Sequence, residues 1–378
     1  MIHRRSIWLF GMISLVVVGS GLWIGCGEQE QAPVAPFDQQ QVILDRSNPG
    51  IKAAMEVQDK HTATLMAMPE VVGTATGVLD DGTPAILVFL KTEIEPSLLT
   101  KGTIIPSELE GVPVVVQVTG ELRAMKGGGG VSHTAKQTPP IQLGTSGGWR
   151  YDLANGFCCG GTIGSLILKA GSQYVLSNYH VLWGDIVSGG NGRVAVAGDP
   201  VIQPGLIDVG CNAATAQDVA TLSGSGSLPS ANVDAGYALV IPGMVKTDGS
   251  ILEVGVLTSA TSTPFVGQLV KKSGRTTGLT RSSVTGINGT VSITYGNECA
   301  GGTAFTKVFT GQVIIANARC RFQNGGDSGS LLVQDITTNP RAVGLCYAGS
   351  VTCNQSAIAI ANPIGAVLAW AGATMAGI

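Results

Sequence analysis

Charge is scarce in this chain. Asp, Glu, Lys and Arg make up 12 % of its 378 residues, about half the share usual in a globular protein. The net charge is only −3 and no basic cluster follows the first residues, so the footprint of a nucleic-acid-binding surface is missing. Histidine is scarcer still, with only His3, His61, His133 and His180. No two cysteines stand at zinc-ribbon spacing, so no metal site is expected. Convincing helical periodicity is also missing between about residue 160 and the final segment. What is abundant is Gly, with 54 residues, alongside Ser, Thr and Val. That composition suits a β-rich exported protein.

The amino terminus supports export. His3-Arg4-Arg5 precedes the apolar stretch from Ile7 to Ile24, the layout of a secretory signal. The stretch ends in Leu22-Trp23-Ile24-Gly25-Cys26, similar to a bacterial lipoprotein signal cut before Cys26, with Trp23 where Leu is usual. Residues 1–26 are therefore expected to be a signal of lipoprotein type; an uncleaved membrane anchor is the competing reading. Residues 27–45 read as a tether. Seven cysteines remain after Cys26, an odd number that predicts disulfides and one free thiol. Pairings expected are Cys346 with Cys353, Cys299 with Cys320, and Cys211 with Cys158 or Cys159.

From Pro49 to Pro69 apolar residues recur near a 3.6-residue period, with Ser47 and Asn48 as caps, predicting a helix. Two β-prone runs follow, Val71 to Leu79 and Ala85 to Leu90, joined by Asp80-Asp81-Gly82-Thr83 as a hairpin. A short helix at Pro106 to Gly111 and a strand at Val112 to Val118 complete a small α+β domain over 46–122. No site is evident there, and His61 reads as an ordinary helix residue. Residues 123–140, with four consecutive glycines and Pro139-Pro140, read as a linker, too loose to hold His133 as a base. The remaining span, 141–378, alternates short apolar runs with turn residues, which predicts a barrel or sandwich. Strands are expected at Thr162 to Leu168, Tyr174 to Ser177, Val194 to Ala197, Val201 to Gln203, Val219 to Leu222 and Tyr237 to Ile241. A second set is expected at Leu252 to Leu257, Val266 to Lys271, Val284 to Val291, Val308 to Ala316, Ser330 to Gln334 and Ala342 to Tyr347. A closing helix is expected over Pro363 to Met375.

The chemistry converges on Asn324-Gly325-Gly326-Asp327-Ser328-Gly329-Ser330, a tight polar turn between apolar runs. A serine nucleophile must project from a rigid turn beside a base and near oxyanion donors. Glycines flank Ser328, and the turn lets the N–H groups of Gly326 and Ser328 point at one spot. After the linker the chain has one histidine, His180, so a Ser–His mechanism there must use it. The histidine must in turn be oriented by a buried carboxylate. Asp218 and Asp234 both open an apolar strand.

Gly326-Asp327-Ser328-Gly329 resembles the nucleophile motif of the chymotrypsin-like (trypsin superfamily) serine proteases. The segment Leu176 to Val181 resembles that around their catalytic His, and Ser273-Gly274-Arg275-Thr276-Thr277-Gly278 is similar to a stretch of the bacterial members. The likeness spans about 150 to 370. It implies a double β-barrel whose Asp closes the first barrel, which favours Asp234 over Asp218. It also places Val343-Gly344-Leu345 and Gly349-Ser350 where the family carries the strand that pairs with substrate backbone. Phe322 stands where enzymes of basic specificity keep an Asp, which implies a pocket not built for Lys or Arg. The whole chain also resembles bacterial relatives of the plant narrow-leaf trypsin-like proteases.

The expectation is an all-β double-barrel (chymotrypsin-like) protease domain behind a small α+β amino-terminal domain, for which a pro-domain is one reading and a retained part of the active protein the other. The function expected is an exported serine endopeptidase with His180, Asp234 and Ser328 as triad and Gly326 and Ser328 as oxyanion donors. No metal or organic cofactor is required. Its partners are protein or peptide substrates, without nucleic acid, and with a membrane only through the lipid or anchor at Cys26. Two other readings stay open: a catalytically silent protease-fold surface protein that binds partners, and an esterase using the same triad.

Overall fold

A computed structural model describes residues 43–93, 105–124, 133–154, 157–184, 193–296 and 304–378. The expected signal and all but the last residues of the tether lie outside these, as do Cys26, Cys299 and 125–132 of the expected linker. Among the described residues no helix is long and apolar enough to cross a membrane.

Helix α1 (Pro49–Met66) starts where expected: Asn48 accepts the N–H groups of Gly50 and Ile51, satisfying donors that a helix start leaves orphaned. Strands β1 (Val71–Val78) and β2 (Pro84–Leu90) form the expected hairpin. The short helix does not form. Glu110 and Gly111 both take positive φ and fold β3 (Glu108–Leu109) back on β4 (Val112–Val118). Strand β5 (Leu122–Ala124) follows.

The next eight-stranded sheet contains β6 (Thr145–Trp149), β9 (Gly161–Ile163), β10 (Ser165–Lys169) and β11 (Ser172–Ser177). It continues with β12 (Pro200–Gln203), β13 (Gln217–Ser223), β14 (Gly236–Val240) and, near the carboxy terminus, β21 (Thr374–Met375). Its order is β21-β10-β11-β14-β13-β12-β6-β9. Because β9 and β10 are separated by Gly164 alone, one bent stretch pairs with β6 at its start and β11 at its end, and the sheet curls closed. A small hairpin, β7 (Leu153–Ala154) with β8 (Phe157–Cys158), lies outside it. Helix α2 (Tyr179–Leu182) follows β11.

The second curled sheet holds β15 (Leu269–Gly274), β16 (Gly278–Tyr295), β17 (Phe305–Ala316), β18 (Leu331–Gln334), β19 (Ala342–Ser350) and β20 (Ile358–Pro363). They run β15-β18-β19-β20-β17-β16, and β15 also pairs with β16, closing the ring. Helix α3 (Ile364–Ala371) forms within the expected closing segment, which then ends in β21 rather than continuing as helix to Met375. The amino-terminal strands join this sheet directly: β1 pairs with β16 from Gly73↔Val291 to Thr76↔Ile287.

Two expected strands are turns. Asp199 Oδ2 accepts the Val196 N–H and folds 196–199 back, and Gly255 N–H returns to Ile251 O around Glu253 at positive φ. The disulfides also differ from two of the expected pairings. Cys158 bonds Cys211 as one reading had it, but Cys320 bonds Cys353. Cys346 is a free, buried thiol on β19. A buried central strand gives its side chain no path to Cys353.

Candidate active site

His180 sits on the single turn of α2, where β11 ends and the chain must leave the sheet. Its Nδ1 lies 2.6 Å from Asp234 Oδ2, and Asp234 Oδ1 accepts the His180 backbone N–H at 3.3 Å. Both residues are buried. Asp234 is fixed by its own backbone: its N–H donates to Asn362 Oδ1, and its carbonyl accepts from Asn178 Nδ2 at 2.7 Å. Asp218 is elsewhere, paired with Arg150 on a half-exposed surface. So Asp234 is the carboxylate that meets the imidazole, and it fixes the Nδ1-protonated tautomer. His180 Nε2, buried, has no hydrogen-bond partner among the described residues.

One residue escaped the sequence reading. Tyr295, at the end of β16, donates its hydroxyl to Asp234 Oδ2 at 2.7 Å. Its ring stacks on Phe305 at 4.7 Å and meets His180 edge-on at 5.8 Å. Burial, reinforced by the Asp234 charge, pushes the Tyr295 hydroxyl pKa well up, so it stays a donor. A lone tyrosine at a strand end looks like any core aromatic in sequence.

Ser328 touches both curled sheets, through Tyr347 of β19 and Thr162 of β9. Its Oγ donates to Tyr347 O at 3.0 Å, and its carbonyl accepts the Thr162 N–H at 2.8 Å. Burial, reinforced by the Asp234 charge, also pushes the Tyr347 hydroxyl pKa well up. A Cβ built on Gly161 would stand 2.6 Å from Val181 Cγ2 and 2.9 Å from Ser328 O. The residue after His180 and the serine therefore close on one face of Gly161. The serine hydroxyl is on Tyr347 in this conformation, not on His180, and χ1 is the torsion that redirects it.

The turn before Ser328 is clamped. Asp327 is fully buried; it accepts the N–H groups of Thr276, Thr277 and Asn324 at 2.9, 3.1 and 2.9 Å, and the Thr277 hydroxyl at 2.7 Å. Lys272, equally buried, lies 3.4 Å from it. Burial lowers the Lys272 pKa and the Asp327 charge opposes that shift. The stretch singled out at Ser273 to Gly278 thus forms the cradle of the turn. Gly326 has φ +96°, and an added Cβ would meet Thr276 Oγ1 at 2.4 Å. Among the described residues the N–H groups of Gly326 and Ser328 donate to no protein acceptor. They remain available to an anion.

His133, expected in a loose linker, is buried against this cradle. Its Nε2 is 3.0 Å from Ser273 Oγ and 3.1 Å from Glu253 Oε2. Phe322 packs into a core cluster with Val270, Val284 and Leu332.

The sequence model of the family described as Nal1 C-terminal domain matches residues 236–373. No curated protein matches the chain. Among solved structures it is similar to a glutamic acid specific serine protease, with a TM-score of 0.41 and 20 % identity over 62 % of this chain and 100 % of that one. It is similar to Thermobifida fusca Protease A, with a TM-score of 0.41 and 20 % identity over 63 % of this chain and 99 % of that one. Cellulomonas bogoriensis chymotrypsin gives a TM-score of 0.39 and 20 % identity over 63 % and 99 % of the respective chains.

Proposed function

We propose that the chain is an exported serine endopeptidase of chymotrypsin-like double-barrel architecture. The observation that carries this is the 2.6 Å contact of His180 Nδ1 with buried Asp234, which leaves Nε2 without a partner among the described residues, while Val181, the next residue, and Ser328 O both stand against Gly161. In the proposed reaction Ser328 Oγ attacks a peptide carbonyl and His180 Nε2 takes its proton. Asp234 stabilises the imidazolium that forms. The N–H groups of Gly326 and Ser328 bind the oxyanion, and His180 then returns the proton to the leaving amine. Water repeats the sequence on the acyl-enzyme.

The disulfides Cys158–Cys211 and Cys320–Cys353 suit an oxidising compartment, and a lipid at Cys26 would hold the enzyme at the cell envelope. The α+β segment 46–122 is the pro-domain of this reading. Hydrolysis of a peptide library by the purified chain, lost in Ser328→Ala, would support the endopeptidase. Turnover of small esters with no peptide cleaved would replace it with the esterase.

A further inference from the structure

Strand β19 has two edges, and the chain uses them differently. One edge is taken along its length by β20, through Cys346↔Ala361, Ala348↔Ile360 and Gly349↔Ala359. The other edge begins with β18, at Leu332↔Gly344 and Leu331↔Leu345. It continues through Cys346, whose N–H donates to Ser330 O and whose carbonyl accepts from Gly329. At Tyr347 it meets the hydroxyl of Ser328. Beyond that point a peptide lying on this edge would pass directly by the nucleophile, bound through its backbone as an added strand.

That place is filled. Strand β5 pairs antiparallel with β19 at Ala348↔Ala124, Gly349↔Arg123 and Ser350↔Leu122. Since β20 holds the opposite edge at Ala348 and Gly349, β5 must lie on the Ser328 side. The Val351 N–H donates to Glu121 O at 3.1 Å, so the alternation of an antiparallel ladder makes Gly349 and Arg123 the next pair to exchange both bonds. On its far side β5 pairs in parallel with β16 at Thr294↔Arg123, next to Tyr295. Leu122 is fully buried in the main core, and Ser328 and His180 are themselves buried, at 0 % and 3 % exposure. Running from Leu122 to Ala124, the chain advances along the edge towards Tyr347 and Ser328.

We propose that Leu122–Ala124 is a substrate-mimicking strand that occupies, in cis, the peptide-binding edge of β19 and keeps the site closed until it is displaced. This rests on the serine-peptidase reading and adds its regulation. The fold itself supplies the inhibitor, and a peptide substrate competes with it for the backbone groups of Gly349.

Arg123→Pro removes the N–H that pairs with Gly349 and should unseat β5. Peptide hydrolysis and fluorophosphonate labelling are measured on the parent chain, on Arg123→Pro, and on Arg123→Pro with Ser328→Ala. A rise of tenfold or more in peptide hydrolysis by Arg123→Pro, abolished by Ser328→Ala, is expected. Equal hydrolysis by parent and Arg123→Pro would overturn the closed state and leave the peptidase standing. No labelling or hydrolysis in any form would overturn the peptidase and this inference together. Should Arg123→Pro not fold, hydrogen exchange on the parent decides. A peptidyl phosphonate that modifies Ser328 and extends along β19 should expose the Arg123 amide; an amide still protected in the modified protein would overturn the proposal.

Discussion

The hydroxyl of Tyr295 donates to Asp234 Oδ2 at 2.7 Å, the same oxygen that faces His180 Nδ1. Two donors on one buried carboxylate oxygen hold it in a single rotamer. Hydrogen bonds to charged groups contribute about 1.5–3 kcal/mol. Tyr295→Phe keeps the stack on Phe305 and is expected to lower the rate of peptide hydrolysis about tenfold, with a shifted pH profile. Unchanged kinetics would mean that Asp234 is held without it.

Gly326→Ala puts a methyl into Thr276 Oγ1 at a backbone angle that L side chains rarely adopt. The turn must shift, and with it one of the two N–H groups proposed to bind the oxyanion. Loss of one such donor costs about 10²–10³ in kcat. A steady-state assay should show that fall in kcat, with KM little altered.

Lys272→Met removes the cation from a pair whose members are both fully buried. The Asp327 charge then stays buried without its partner, a change that costs about 3–5 kcal/mol. Denaturant unfolding should register this loss. Adding Asp327→Asn should recover part of it, because the uncompensated charge is gone.

Much of this framework was legible in the sequence, and the reasons differ by element. The α1 helix was marked by periodicity and an Asn cap, and the His180 and Ser328 turns by scarcity and by glycine. The amino-terminal segment read as a separate unit because β1 carries no sign that its free edge pairs with β16, more than two hundred residues away. β5 was hidden for a similar reason: three residues beside a glycine run have no periodicity to read. His133 was misjudged because the polar residues around it carry no sign of packing, and its burial depends on Ser273 and Glu253 arriving from elsewhere. Cysteine counts gave the odd thiol, while the choice among pairings needed strand positions that spacing does not encode.

His133 gives the stability a pH dependence with a defined sign. Burial lowers its pKa; the Glu253 charge opposes this and the Lys272 charge adds to it. Below the ordinary value of about 6.5 the unfolded chain takes up a proton that the folded chain refuses. Stability is therefore full above that value and falls as pH drops towards the folded pKa. Thermal unfolding at pH 7 and pH 5 should show a smaller drop for His133→Gln than for the parent. Equal drops would remove His133 as the cause.

Burial pushes the Cys346 thiol up to about 12; the Lys272 charge opposes this and the Asp327 charge adds to it. As the thiolate is the reacting form, iodoacetamide should label Cys346 only after unfolding. Peptide mapping of the same sample should recover Cys320 joined to Cys353. Rapid native labelling of Cys346 would contradict this burial.

The central claim is that Ser328 is activated by His180 held on Asp234. Its most direct test is labelling of Arg123→Pro, the form expected to be open, by a fluorophosphonate probe beside added Ser328→Ala, His180→Ala, Asp234→Asn and Asp218→Asn changes. The account predicts labelling abolished by the first two, strongly slowed by Asp234→Asn and unaffected by Asp218→Asn. Labelling that survives His180→Ala, or no labelling of Arg123→Pro itself, would contradict it.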